Sequence, residues 1–299
     1  MKELRSQRRN VQVALLVSLA LLSLILVPAA SARPFTQLIV FGDSLSDSGN
    51  LFAATGGAIP PSPPYYAGRF SNGPVWAELL AVELGVPVQN YALGGALTGR
   101  VNLFDDPRIP AEFPGVLDEI DLFLALNGGV ADPHALYVVW AGANDFFAAP
   151  APETIAPAVA NIVSAVRTLA ARGARHIVVP NMPDLGLTPD GLASGFSSEL
   201  TALSVAFNGA LRTGLVMRGL HVTVVDIFEL FHEIVDYPAE FGFTDVTTAC
   251  LDLDPFSMCA NPDGHLFWDF VHPTTRGHDI LADRIYDGVR EHAGNRRER

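Results

Sequence analysis

Residues 37–50 read QLIVFGDSLSDSGN. An apolar run leaves through Gly42, Asp43 and Ser44, and three serines and two aspartates fall within 43–48. Two readings fit this stretch alone. Asp43, Ser44 or Ser46 caps a following helix, since short polar side chains accept from the first free backbone N–H groups. Alternatively, Ser44 is a nucleophile at the end of a central strand. The rest of the chain decides between them.

Outward from this run, further segments rich in Val and Ile lie at 86–92, 136–141, 176–180 and 221–227. They lack the polar alternation of a half-exposed sheet, which predicts strands buried on both faces. Helical spacing of apolar residues fills 74–85, 116–129, 154–173 and 197–219, each closing on Gly, and 274–292 reads as a final helix. Alternation of strand and helix predicts an α/β fold with a parallel sheet covered on both sides. No repeat or linker interrupts it, so 33–299 is expected to be a single domain. Two stretches rich in Gly, Pro and Asp, 56–73 and 244–268, read as surface loops.

Sites in such sheets form beyond the carboxyl ends of the strands. Gly42-Asp43-Ser44 follows the first strand, Leu93-Gly94-Gly95-Ala96 the second and Gly142-Ala143-Asn144-Asp145 the third. Trp268-Asp269-Phe270-Val271-His272-Pro273 precedes the closing helix. A serine hydroxyl needs a base to take its proton, and imidazole suits that at neutral pH. A carboxylate three residues from His272 can hold the ring in one tautomer. Gly94 or Gly95 can offer a backbone N–H unobstructed by a side chain, and Asn144 an amide, to a developing oxyanion. These are the parts of an acyl-transfer site.

FGDSLSDSGN, NYALGGA, GAND and DFVHP together resemble, in order, the four blocks of the GDSL or SGNH hydrolases. GRFSNGPVWAELLA and CANPDGHLFWDFVHPT are similar to the subgroup of plant-type GDSL lipases and secreted bacterial lipases and phospholipases. The resemblance runs from about Leu38 to about Ile285. It implies a flavodoxin-like, three-layer α/β/α fold on a five-stranded parallel sheet, a shallow site, and neither metal nor cofactor. It implies Ser44 as nucleophile and, through its own N–H, as oxyanion donor, with Asp269 and His272 as acid and base. Asn144 and Gly94 or Gly95, the former preferred, would supply the other donors. The expected activity is hydrolysis of a lipid or other small-molecule ester. Phospholipase, acyltransferase or carbohydrate acetylesterase activity on the same site are the alternatives, and a non-catalytic binding protein is the remaining class. Phe104, Ile109, Phe113, Leu122, Phe123, Phe146, Phe147, Phe241 and Phe243 are candidate rim residues for an acyl chain.

Residues 1–32 read as a cleavable signal peptide. Lys2, Arg5, Arg8 and Arg9 precede an uncharged apolar run, and Ala30-Ser31-Ala32 marks cleavage after Ala32. Export to the periplasm or the medium is expected. Removing those four bases and Glu3 takes the formal charge from −13 to −16, which argues against a nucleic-acid partner. Transient contact with a lipid surface is compatible with the reading; the oligomeric state is not legible. Cys250 and Cys259 are the two cysteines, and an oxidising compartment predicts a disulfide between them. Ser46 and Ser48 read as turn or cap residues. His134, His176, His221, His232, His265, His278 and His292 read as structural or exposed, and Asp245, Asp252 and Asp254 as a solvated acidic loop rather than a calcium site.

Overall fold

The computed structural model describes residues 35–105, 112–217 and 219–297. The expected leader and its expected cleavage site, and rim candidate Ile109, lie outside them. Residues Phe35–Arg299 form one compact unit.

Five strands, β1 (Leu38–Gly42), β2 (Val88–Asn90), β3 (Leu136–Trp140), β4 (His176–Pro180) and β5 (Thr223–Val225), make one sheet. Their order is β2-β1-β3-β4-β5, all pairs parallel, with Leu38 opposite both Val88 and Leu136. The helices are α1 (Asn50–Ala54), α2 (Trp76–Leu84), α3 (Val116–Leu126), α4 (Ala143–Ala148), α5 (Ile155–Ala171), α6 (Pro189–Ser194), α7 (Ser197–Met217), α8 (Ile227–Asp236) and α9 (Thr275–Arg297).

Successive strand residues point to opposite faces, and each face is apolar. Ile39, Phe41, Tyr137, Val139, Ile177 and Val179 pack with Ile120 of α3, Ile162 and Val166 of α5 and Phe207 and Leu211 of α7. Leu38, Val40, Leu136, Val138, Trp140 and Val178 pack with Trp76 and Leu80 of α2, Leu230 of α8 and Leu281 and Ile285 of α9. Two apolar faces on one sheet require two helical layers, so the α/β/α architecture follows from the strand composition.

The stretch 244–268 departs from the expected loop. It holds β6 (Asp245–Ala249), β7 (Leu251–Leu253), β8 (Phe256–Met258) and β9 (His265–Phe267). β6 pairs with β9, and β7 with β8 as a hairpin based on the Cys250–Cys259 disulfide. Leu266, Phe267 and Trp268 are fully buried. The Gly, Pro and Asp content marked the turns of this segment and hid its short paired runs. In 56–73, likewise, Tyr65, Phe70 and Ser71 are buried.

Candidate active site

β1 ends at Gly42, where a Cβ would stand 2.3 Å from the Trp140 carbonyl oxygen of β3, so no larger residue fits there. The chain then turns tightly, Ser46 and Asp47 N–H donating to the Asp43 carbonyl at 2.9 and 3.0 Å. This leaves Ser44 at the tip, 9% exposed. Ser46 serves the turn: its Oγ accepts from Trp76 Nε1 at 3.2 Å. Asp43 is buried and accepts from Leu45 N–H at 3.1 Å. Burial pushes its carboxyl up to about 7, with Asp145 adding to the rise and the Leu45 N–H and His272 opposing it.

Three buried carboxyl groups hold the neighbouring loop at 93–98. Asp47 accepts from Gly49, Asn50 and Leu51 N–H and, at 2.8 Å, from Gly94 N–H. Glu119 of α3 accepts from Gly42 N–H at 2.8 Å and Leu93 N–H at 3.2 Å. Asp145 accepts from the Thr98 N–H and hydroxyl at 2.9 and 2.7 Å. Burial raises the pKa of all three, that of Glu119 well above the usual carboxylate range, with Asp43 and Asp47 adding to it.

This arrangement weighs against the preference for Gly94 as a donor and favours Gly95. Its N–H is taken by Asp47, whereas among the described residues no acceptor takes the N–H of Gly95. Gly95 has φ +79°, and a Cβ there would stand 2.5 Å from Asn102 Oδ1 and from Phe104 Cδ2. Glycine is thus required on conformational and steric grounds. Asn144, buried at the start of α4, donates one amide hydrogen to the Ala96 carbonyl at 3.0 Å, which orients the amide and leaves its second hydrogen unassigned.

On the other side, His272 Nε2 lies 2.8 Å from Ser44 Oγ, and His272 Nδ1 lies 2.8 and 3.0 Å from the Asp269 oxygens. Asp269 also accepts from Val271 and His272 N–H and, at 2.6 Å, from the Tyr65 hydroxyl. Burial works to raise the Asp269 carboxyl, but His272 and these donors hold it below its ordinary value. Acid, imidazole and hydroxyl therefore stand in hydrogen-bonding series. A base so placed can take the serine proton while the carboxylate stabilises the imidazolium that results.

The cleft around Ser44, Asn144 and His272 shares Phe147, Leu185 and Thr188 with a chamber of about 470 Å³. Its apolar lining includes Phe146, Phe196, Leu200 and Leu203. Of the rim candidates, Phe147 faces both spaces, while Phe104 and Phe113 pack beside Phe70 and Leu93. Phe123 and Phe146 belong to the core on one sheet face, and Phe243, with Phe241 against it, to the other. Leu122 is a half-exposed residue of α3 that lines neither space. Aromatic content alone did not separate packing from rim.

Among the described residues one trio of possible metal ligands lies together, Cys250, Cys259 and His265. The two sulfurs are bonded to each other and have no thiolate to offer. Asp245 accepts from Thr247 and Thr248 N–H, and Asp252 from Asp254 N–H, as turn aspartates do. Of the histidines, His232 pairs with Asp184 and His265 with Asp245. His278 is fully buried, and among the described residues its two ring nitrogens have no hydrogen-bond partner. Tyr65, Asp47 and Glu119 went unmarked in the sequence; each acts on a partner distant along the chain, although Tyr65 lies just ahead of GRFSNG.

A family model described as GDSL-like Lipase/Acylhydrolase matches residues 38–285. The phosphatidylcholine-sterol acyltransferase of Aeromonas hydrophila is 30% identical, over 86% of this chain and 91% of the relative. Esterase EstA of Pseudomonas aeruginosa is 29% identical over 91% of this chain, which spans 49% of that relative's length. Among solved structures, the aryl esterase of M. smegmatis superposes with a TM-score of 0.51 at 17% identity, over 86% of this chain and 99% of its own, a likeness of fold.

Proposed function

The chain belongs to the GDSL-like lipase/acylhydrolase family and is a carboxylic ester hydrolase, and on that premise we propose that it cleaves lipid or other acyl esters through an acyl-enzyme on Ser44. The observation that carries this is the series Asp269–His272–Ser44, with both imidazole nitrogens within 3.0 Å of their partners. As Ser44 Oγ attacks the ester carbonyl carbon, His272 Nε2 takes its proton. The carbonyl oxygen becomes an oxyanion, stabilised by the N–H groups of Ser44 and Gly95 and the Asn144 amide. Collapse expels the alcohol, which leaves with the proton from His272. Water then attacks the acyl-serine by the same steps and restores the hydroxyl.

The apolar chamber beside the cleft supports an acyl chain longer than acetyl, since burial of each methylene contributes about 0.8 kcal/mol. An alcohol in place of water would make the same site an acyltransferase, a second reading favoured by the named activity of the Aeromonas relative. Export belongs to the same proposal. The charged, apolar and small-residue order of 1–32 supports it, as does the Cys250–Cys259 bond, which persists in oxidising compartments.

The test is the hydrolysis rate of p-nitrophenyl esters from acetate to palmitate, with Ser44→Ala alongside. The reading requires a maximum beyond acetate that vanishes in the variant. A maximum at acetate would remove the acyl-chain assignment, and an unchanged variant would remove Ser44.

A further inference from the structure

The segment 62–75 wraps the loop that carries the acid and the base. Ser71 Oγ donates to the Pro273 carbonyl at 2.9 Å, Thr275 N–H to Asn72 Oδ1 at 2.7 Å, and Thr275 Oγ1 to the Pro74 carbonyl at 2.9 Å. Within that wrap, two aromatic residues reach the site itself. The Phe70 ring lies 5.0 Å from the His272 ring, and it fills the space a side chain at Gly94 would need. The Tyr65 ring meets Phe70 and Trp268 edge-on at 6.2 and 6.4 Å, and its hydroxyl donates to Asp269 Oδ2 at 2.6 Å in a buried setting.

We propose that Tyr65 is a positioning residue that tunes the acid of this site, an inference that rests on the Ser44–His272–Asp269 reading above. Asp269 Oδ2 has two side-chain donors, the Tyr65 hydroxyl and His272 Nδ1. A short bond from a neutral hydroxyl to a carboxylate is among the stronger hydrogen bonds. It draws charge away from the oxygen that faces the imidazole and fixes the plane in which the carboxylate lies. Without it Oδ2 keeps His272 Nδ1 as its one side-chain donor, and more of the carboxylate's charge bears on His272. The imidazolium is then held more tightly, and a base that holds its proton too well returns it to the leaving alcohol less readily. Tyr65 touches neither the ester nor Ser44. It acts through Asp269.

The titratable groups around this pair are few. Asp43 faces His272 from the end of β1, with Asp145 acting on Asp43 from α4, and His278 faces it from α9. Tyr65 stands against Asp269 from 56–73, its phenol pushed well up by burial and by that carboxylate. None of the other groups hydrogen-bonds to Asp269, so a change at the Tyr65 hydroxyl has one direct recipient.

The experiment compares wild type, Tyr65→Phe, Asp269→Asn and the double variant in the full mature chain. It reads kcat, KM and the pH profile of kcat/KM on one p-nitrophenyl ester. Phenylalanine keeps the ring contacts and removes the hydroxyl. The expected result for Tyr65→Phe is a kcat lower by about tenfold with KM within about twofold, since the bond serves the acid–base step and not ester binding. Its acid limb moves to higher pH. In the Asp269→Asn background the same change adds less than about twofold, because the two residues act as one unit. A kcat within twofold of wild type with an unmoved acid limb would overturn the proposal, as would a full effect in the Asp269→Asn background. A drop in thermal midpoint with an unmoved profile would likewise overturn it, showing a packing role. Should Asp269→Asn itself keep wild-type turnover, the underlying reading fails instead, and the two failures are told apart within one data set.

Discussion

The two sides of the cleft are held by different chemistry. Beside Ser44, three buried carboxyl groups gather backbone N–H donors from the end of β1 and from the loop at 93–98. Beside His272, aromatic rings and a phenol hydroxyl surround one side-chain pair. The difference follows from what each side presents. The proposed oxyanion site takes two of its three donors from backbone N–H groups, whose directions are fixed only by fixing the backbone around them, and buried acceptors do that. An acid–base pair is made of side chains, which packing, a phenol hydroxyl and two local N–H groups orient.

If that contrast is right, the largest losses come from the reacting groups. Asp269→Asn is expected to cut kcat by about 10⁴ with the fold intact, and Asn144→Ala by about 10²–10³. Steady-state kinetics alongside circular dichroism measure both. An Asn144→Ala variant within threefold of wild type would remove the amide from the oxyanion site.

A middle-sized effect separates the carboxyl staples from ordinary surface acids. Glu119→Ala is expected to cost roughly 2–4 kcal/mol in urea unfolding, because it strips the buried Gly42 N–H of its acceptor and the Leu93 N–H of one of two. Glu119→Gln is expected to cost only about 1 kcal/mol. One amide oxygen still serves Gly42, and the Leu93 N–H retains the Gly42 carbonyl at 3.0 Å. Equal losses in the two variants would contradict the staple.

The smallest effect concerns pH, and here the two sides run in opposite directions. Asp43 has its folded pKa raised to about 7 by burial, so between about 4 and 7 the folded chain binds more protons than the unfolded one. Its contribution is present at low pH and is lost as pH rises through 7. His278 is lowered to about 3, chiefly by burial, with His272 adding. Its contribution is present above about 6.5 and is lost as pH falls toward 3. Relative to wild type, Asp43→Asn should therefore gain stability between pH 5 and pH 8, and His278→Leu should gain between pH 7 and pH 4. Urea midpoints at these pH values check both signs, and a shared direction would break the contrast.

Much of this was legible in the chain. β1, β3 and β4 lie within one residue of the apolar runs that announce them, because central strands are apolar on both faces. β2 and β5 are shorter than 86–92 and 221–227, since edge strands pair on one side only and their ends find no partner. Ser44, Asn144, Asp269 and His272 stand out because they sit in three short blocks, the last two residues sharing one. The choice between Gly94 and Gly95 was not legible, for it depends on which N–H reaches Asp47. Nor was Tyr65, whose partner Asp269 lies 204 residues away. Phe123 and Phe243 look like rim residues in the sequence and turn out to be core, while Phe146 belongs to the core and also lines the chamber, because an aromatic residue carries no mark of the side it faces.

The central claim is an activated serine at position 44, and labelling tests it most directly. Residues 33–299 would be treated with a fluorophosphonate, digested and mapped by mass spectrometry, with His272→Ala in parallel. The account predicts one adduct, on the peptide containing Ser44, formed at least about 10³-fold more slowly in the variant. A folded, ester-hydrolysing protein labelled at another residue, or labelled equally fast without His272, would contradict it.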